Sequence, residues 1–317
     1  MQAMSTLSSS VIPYVEETRE WLRASGPDAL RFLNGMWTCD LARAAKVSPG
    51  KTCGMGLLLS TKGKPVTEAV FLCESPESFL FSLPQGMARP SLEALNKYLV
   101  ADEVKLEIIE DSAITKVLIV KESPLDPESK TLKILNPVPG AEDRIYEAHS
   151  QPWGLRVPRT LLGERHEEWW LWEHSRLAPN SLEKKSSHVL DEWRIDAGVP
   201  KWGIDFSSEH LPLEFPLLHA ISYHKGCYLG QEVVARATFR GHMNRGFARF
   251  YAKVPLEHGE IYALSEPDRV VGRITTVSGN RGLGLVRLES AQKPTELFQK
   301  KQSGEARVMI EKVEILT

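Results

Sequence analysis

Apolar residues recur at three- and four-residue spacing in only a few stretches of the chain. Leu30, Leu33 and Trp37 predict a helix over about residues 27–42, with Gly26-Pro27-Asp28 as its start signal. Leu92, Leu95 and Leu99 predict another over residues 91–99. Between them, short apolar runs at 55–59, 66–73 and 79–83 read as strands, and Lys62-Gly63 as the tip of a hairpin. Residues 104–109 and 114–120 are strand-like as well. Pro124, Pro127, Pro137 and Pro139 then predict a loop or a subdomain boundary around 121–150.

Ser187 is placed to cap a helix running to about Ala197, with Leu190, Trp193 and Ala197 on its inner face. Gly198 and Pro200 supply the stop chemistry. From Arg245 onward the pattern changes to β-prone pieces at 247–254, 270–277, 284–288 and 307–315, separated by glycine turns, which is the pattern of a small barrel or sandwich. Helices and strands are mixed without a regular βαβ alternation, so the fold class is α+β. Two domains are expected, 1–244 and 245–317.

Composition narrows the function classes. A chain of 317 residues has room for two domains, and 42% hydrophobic with 25% charged residues is ordinary for a globular protein. The net charge, 39 basic minus 41 acidic or −2, argues against a direct nucleic-acid or membrane-surface binder. No apolar run approaches the roughly 18 residues of a membrane span. Residues 1–13 read as a flexible lead-in with neither a secretory signal nor a transit peptide. Cys39, Cys53, Cys73 and Cys227 form no Cys-x-x-Cys pair, so neither a disulfide scaffold nor a metal site is expected, and the expected compartment is a reducing cytoplasm.

Candidate chemistry concentrates in Lys225-Gly226-Cys227-Tyr228-Leu229-Gly230-Gln231-Glu232, continuing to Arg236. Two glycines bracket a cysteine, and a helical pattern begins near Gln231. A thiol just before a helix N-terminus, with Lys225 and His224 close in sequence, is in a setting that favours the thiolate. Residues 225–250 hold Lys225, Arg236, Arg240, Arg245 and Arg249 against Glu232, a local excess suited to an anionic ligand. Asp205 and Glu214 are carboxylates of the kind that accept paired hydrogen bonds from an aminopyrimidine ring, although such residues serve equally as caps or ion-pair partners. There is no phosphate-cradling glycine loop, no Gly-x-Ser-x-Gly and no His-Glu-x-x-His.

The run 225–232 with Arg236 resembles the signature of the YgfZ family, folate-binding proteins related to the glycine-cleavage T-protein (aminomethyltransferase) and needed for iron–sulfur protein maturation. Other segments extend the resemblance: Asp28 to Gly35 with Thr38 and Asp40, the Lys62-Gly63-Lys64 hairpin, Arg194, Gly198, Pro200, Gly203 and Asp205, and then Asn244-Arg245, Val271 to Thr276 and Gly284 to Arg287. It implies an α+β folate-binding region around a central cavity, followed by a C-terminal β-barrel. It implies tetrahydrofolate as cofactor, with Asp205 and Glu214 at its pterin end, Arg236 and Arg245 at its glutamate end, and Tyr228 as a further contact. Cys227, assisted by Lys225, becomes a reactive thiol at the cavity mouth. The implied function is assembly or repair of iron–sulfur clusters in client enzymes, tRNA-modifying ones among them, in company with cluster carriers or clients. The implied role is that of an accessory factor. The alternative is a folate-dependent one-carbon transferase of the aminomethyl type. Two departures stand out: Pro212-Leu213-Glu214-Phe215-Pro216 replaces two polar residues of the family pattern, and Phe81 to Gln85 lacks the acid that the T-protein carries there.

Overall fold

The apolar pattern of residues 52–84 becomes three long antiparallel strands, and the chain's other elements are arranged around them. A computed structural model describes residues 12–47, 52–109, 114–120, 145–147, 149–151, 154–157, 166–172, 182–300 and 307–316. In chain order the elements are β1 (Ile12–Glu17), β2 (Arg19–Ser25), α1 (Ala29–Met36), α2 (Leu41–Val47), β3 (Thr52–Leu59), β4 (Pro65–Ser75), β5 (Ser78–Pro84), α3 (Ala88–Asn96), β6 (Lys105–Ile109) and β7 (Ile114–Val120). Then come β8 (Ile145–Glu147), β9 (His149–Gln151), β10 (Gly154–Val157), β11 (His166–Trp172), β12 (Leu182–Lys184), α4 (Ser187–Ala197) and α5 (Gln231–Arg240). The last part is β13 (Arg245–Ala252), β14 (Gly259–Ala263), β15 (Glu266–Ser278), β16 (Arg281–Arg287), α6 (Leu288–Ala291), β17 (Leu297–Lys300) and β18 (Arg307–Ile315).

Two six-stranded sheets and a closed barrel result. One sheet runs β6-β2-β5-β4-β3-β8 and the other β12-β1-β7-β11-β10-β9. The barrel closes as β13-β16-β15-β14-β17-β18, with antiparallel pairing throughout. The α+β class and the terminal barrel are as expected. The leading residues 1–11 and the prolines at 124, 127, 137 and 139 lie outside the described residues.

β3 is buried along its whole length because both of its faces are covered. Leu58 packs into the core formed with α1, α2 and α3. Met55, Leu57 and Leu59 face the opposite way into a second core, which also holds Leu190 and Ile195 of α4, Phe215, Tyr228, Val234 of α5, and Phe247 and Leu285 of the barrel. A strand buried on both faces shows a continuous apolar run rather than alternation, as 55–59 does. This second core is what joins the sheets to the barrel.

Two sequence expectations are corrected. The single helix over 27–42 is two helices, α1 and α2. Thr38 breaks it: its backbone N–H donates to Leu57 O (3.0 Å), and its Oγ1 donates to Ala220 O (2.6 Å) and accepts from the Leu57 N–H (2.8 Å). A buried β-branched hydroxyl tied to a strand and a loop cannot also continue a helix. In α4, Ala197 is exposed, and the buried face is Leu190, Arg194 and Ile195. A charged residue occupies the place that periodicity reserved for an apolar one. Gly198 ends α4 at φ 72°, a left-handed conformation that glycine adopts without steric cost.

Phe247 is fully buried between barrel and body, with its ring 5.3 Å from that of Phe215. Phe247→Ala should therefore lower unfolding free energy by about 3–5 kcal/mol in urea titration. A loss under about 1 kcal/mol would place the main barrel–body contact elsewhere.

Candidate functional site

Where the sheets meet α4 there is a cavity of about 420 Å³. Its walls include Glu16, Glu17 and Arg19 from β1 and β2, Glu68 from β4, Arg194 from α4, and the loop Val199 to Gly203 with Lys201 and Trp202. The volume lies within the range of small-ligand sites. Most of the charge is pre-ordered. The Arg19 side chain is 2% exposed; its Nη1 stands 3.4 Å from Glu68 Oε1, its Nε donates to Ser82 Oγ (3.2 Å) and its Nη2 to Ser82 O (2.8 Å).

Arg194 makes four side-chain hydrogen bonds. Its Nε donates to Val199 O (3.2 Å), its Nη1 to Asp191 Oδ1 (2.7 Å), and its Nη2 to Asp205 Oδ2 and to Thr276 Oγ1 (3.2 Å). Asp205 is buried and accepts two bonds on each oxygen: the Arg194 guanidinium and the Lys201 N–H (2.8 Å) on Oδ2, and the hydroxyls of Thr275 and Thr276 (2.9 Å for the latter) on Oδ1. Arg194 and Asp205 thus fasten α4 to the 199–203 loop and both to β15 of the barrel.

Glu214 and Arg245, expected at opposite ends of one ligand, are paired with each other. Glu214 Oε1 lies 2.7 Å from Arg245 Nη2 and 2.8 Å from its Nε, while Oε2 accepts the Leu211 N–H (3.0 Å). Beside them, His210 Nδ1 accepts the Ser207 N–H (3.1 Å). Burial holds His210 below its ordinary value; the nearby Glu214 carboxylate opposes this and Arg245 reinforces it. Arg236 is exposed on α5 and pairs with Glu232 (2.7 Å). Of the expected ligand contacts, Asp205, Glu214, Arg236, Arg245 and Tyr228, none lines the 420 Å³ cavity; Asp205 reaches it through Arg194.

The cysteine motif forms a separate feature. Cys227 is exposed, whereas Cys39, Cys53 and Cys73 are buried. Lys225 Nζ donates to the carbonyls of Asn34 (2.6 Å), Trp37 (2.6 Å) and Cys39 (2.7 Å). An ammonium has three N–H donors, so all of them are committed here, where a cation offsets the negative C-terminal end of α1. That corrects the expected pairing of Lys225 with the thiol: Lys225 holds the loop instead. Two backbone bonds add to it, Ser222 N–H to Thr38 O (2.9 Å) and Leu229 N–H to Gly35 O (3.0 Å). Tyr228 is buried below, its ring centroid 5.1 Å from Lys225 Nζ. Gly230 (φ 80°) presses against the β3–β4 hairpin tip, where a Cβ would stand 2.6 Å from Ser60 O, so only glycine fits. The two glycine-bearing motifs, 62–64 and 225–232, are therefore one contact surface.

Sequence reasoning missed Arg19, Glu68 and Lys201. Glu68 did carry a signal, as a lone carboxylate inside the apolar run 66–73. Among the described residues, no group of three or more His, Cys, Asp or Glu is arranged to hold a metal ion. No helix among them is long and apolar enough to cross a membrane.

Comparison with known proteins agrees with this layout. The family described as the CAF17 C-terminal beta-barrel domain matches residues 248–315, which lie within the closed barrel. A tRNA-modifying protein YgfZ of Vibrio atlanticus is 24% identical over 249 residues, covering 78% of this chain and 71% of that protein. The chain is similar to the YgfZ proteins over most of its length. An iron–sulfur cluster assembly factor IBA57 homologue, mitochondrial, of Dictyostelium discoideum is 24% identical over 265 residues, 76% of this chain, which spans 62% of the length of that relative. The crystal structure of the glycine cleavage system aminomethyltransferase T from Bartonella henselae superposes with a TM-score of 0.75 at 15% identity, over 97% of this chain and 86% of that one. The T-protein-like fold implied by the motifs is thereby shown, and so is the resemblance to YgfZ.

The contrast among the four thiols is directly testable. Burial pushes Cys73 up to about 11, and neither Cys39 nor Cys53 is accessible. Near neutral pH, an alkylating reagent followed by mass spectrometry should label Cys227 at least tenfold faster than the other three in the native protein. Comparable rates would mean that the loop does not hold Cys227 at the surface.

Proposed function

We propose that this protein binds tetrahydrofolate in the 420 Å³ cavity and supports assembly or repair of iron–sulfur clusters in client enzymes, tRNA-modifying ones included. The names carried by its relatives support a role in iron–sulfur cluster assembly or tRNA modification. The observation that carries the reading is Cys227: one exposed thiol on a loop that Lys225, Leu229 and Gly230 hold in place, in a chain whose other cysteines are buried. An exposed thiolate is a soft ligand for iron and an acceptor for sulfur. One thiolate supplies only one ligand to a cluster, so a carrier or client protein supplies the rest.

The cavity fits the proposed cofactor in kind. A pterin is flat and carries an aminopyrimidine edge, and its tail is anionic. Trp202 offers an aromatic face, Glu68 a buried carboxylate acceptor, and Lys201 positive charge. In this reading Glu68 takes the pterin edge and Lys201 the tail carboxylate, while Asp205 acts by orienting Arg194. Arg236 and Arg245, first assigned to the tail, pair with acids outside the cavity. When bound, tetrahydrofolate supplies a carrier for one-carbon units. The place of work is the cytoplasm in this proposal, where thiols stay reduced.

A second reading, a folate-dependent one-carbon transferase, is favoured by one observation: a buried carboxylate, Glu68, lies on the cavity wall although the Phe81–Gln85 stretch has no acid. Turnover of a methylated amine in the absence of any cluster protein would select it.

Calorimetric titration with tetrahydrofolate tests the cavity. Glu68→Gln should weaken binding by roughly 1.5–3 kcal/mol, the range for a hydrogen bond to a charged group. Cys227→Ala should bind as the wild type does, yet fail to restore iron–sulfur enzyme activity in cells lacking the native copy. No binding by the wild type sinks the folate half of the proposal. Full rescue by Cys227→Ala sinks the thiol half.

A further inference from the structure

A second cavity, of about 530 Å³, lies outside the first, between the 204–210 loop and the barrel. Arg245, Arg273 and Arg287 line it, together with His210 and His258. The strand register places these guanidiniums on one face. Arg245 of β13 stands directly opposite Arg287 of β16. Arg273 of β15 stands opposite Leu285, two residues before Arg287 and therefore on the same side of the strand.

Like charges directly opposite each other on neighbouring strands destabilise a sheet. The acids nearby relieve this on the Arg245 side only. Glu214 is taken up by Arg245 and the Leu211 N–H. Asp205 already accepts four bonds, with Arg194 as its cation. Glu260 faces Arg273 in register, but it is exposed, so solvent screens its charge; it also accepts the Tyr262 hydroxyl at 2.6 Å. Glu209 is the remaining carboxylate on the wall, and it is exposed. Ile204 and Val270, both exposed, give the cavity an apolar side.

We propose that this barrel cavity is a binding site for a small organic molecule bearing a multivalent oxyanion, phosphate or polycarboxylate, whose charge bridges Arg245, Arg273 and Arg287 while its body lies against Ile204 and Val270. Arg273 and Arg287 then become the two prongs of a clamp, each presenting a planar fork of donors that matches an oxyanion, while Arg245, whose Nε and Nη2 hold Glu214, adds its remaining donors. This site is separate from the cavity assigned to folate and does not rest on that assignment.

The test is calorimetry on the full chain at constant ionic strength, with inorganic pyrophosphate as the phosphate probe and citrate as the carboxylate probe. Saturable binding of one of them at submillimolar concentration is expected, and which one binds identifies the ligand's head group. The double variant Arg273→Ala/Arg287→Ala, checked for native circular dichroism, should weaken that binding at least tenfold. Arg240→Ala, which removes an exposed arginine outside this cavity, should leave it unchanged. Failure of both probes to bind saturably would overturn the proposal, as would equal binding by the wild type and the double variant. Tetrahydrofolate titration of the double variant is expected to match the wild type; its loss there would merge the two sites and contradict the separation claimed here.

Discussion

A buried guanidinium–carboxylate pair, Arg194 with Asp205, ties the body, the cavity wall and the barrel together. Taking both charges out of water costs several kcal/mol per ion, and attraction alone offsets this only when the remaining donors and acceptors are also satisfied. Here they are. Arg194 reaches Val199 O, Asp191, Asp205 and Thr276, and Asp205 also accepts from Lys201 N–H, Thr275 and Thr276. The partners come from three places in the chain: α4, the loop that follows it, and β15. An apolar pair of similar volume would pack as well but would not fix the direction of the 199–203 loop, and with it Lys201 and Trp202.

The apolar core around Phe215 and Phe247 gives this joint its bulk. The same core takes in Tyr228 and Val234, so the loop bearing Cys227 rests on the material that seats the barrel. Cavity and thiol are thus distinct features resting on one shared core. Lys225 contributes to this as a helix cap, its ammonium bonded to the carbonyls at the end of α1.

Much of the fold was legible in the sequence because it follows from local pattern. The 55–59, 66–73 and 79–83 runs, the hairpin glycine, the stop at Gly198 and the change to short strands after Arg245 are consequences of period and turn chemistry. The break at Trp37–Asp40 was not legible, since Thr38 is held by Leu57 and Ala220, far along the chain. Site residues suffered most from this. Asp205 and Glu214 have the right chemistry for a pterin, but whether a carboxylate is free or already bonded depends on partners such as Thr276 and Arg245, 71 and 31 positions away. Glu68 was missed although it interrupts an apolar strand, a local inconsistency visible in the sequence itself.

Hydrogen exchange on Asp205→Asn tests the central role of the Arg194–Asp205 pair most directly. The substitution keeps the shape but removes the buried one of the two carboxylate charges paired with Arg194, leaving the half-exposed Asp191. If the pair is the joint, protection should fall together in two segments distant in sequence, residues 195–203 and 272–278, while sheet strands β4 and β5 keep theirs. Loss confined to one of the two segments, or no change in either, would contradict the account.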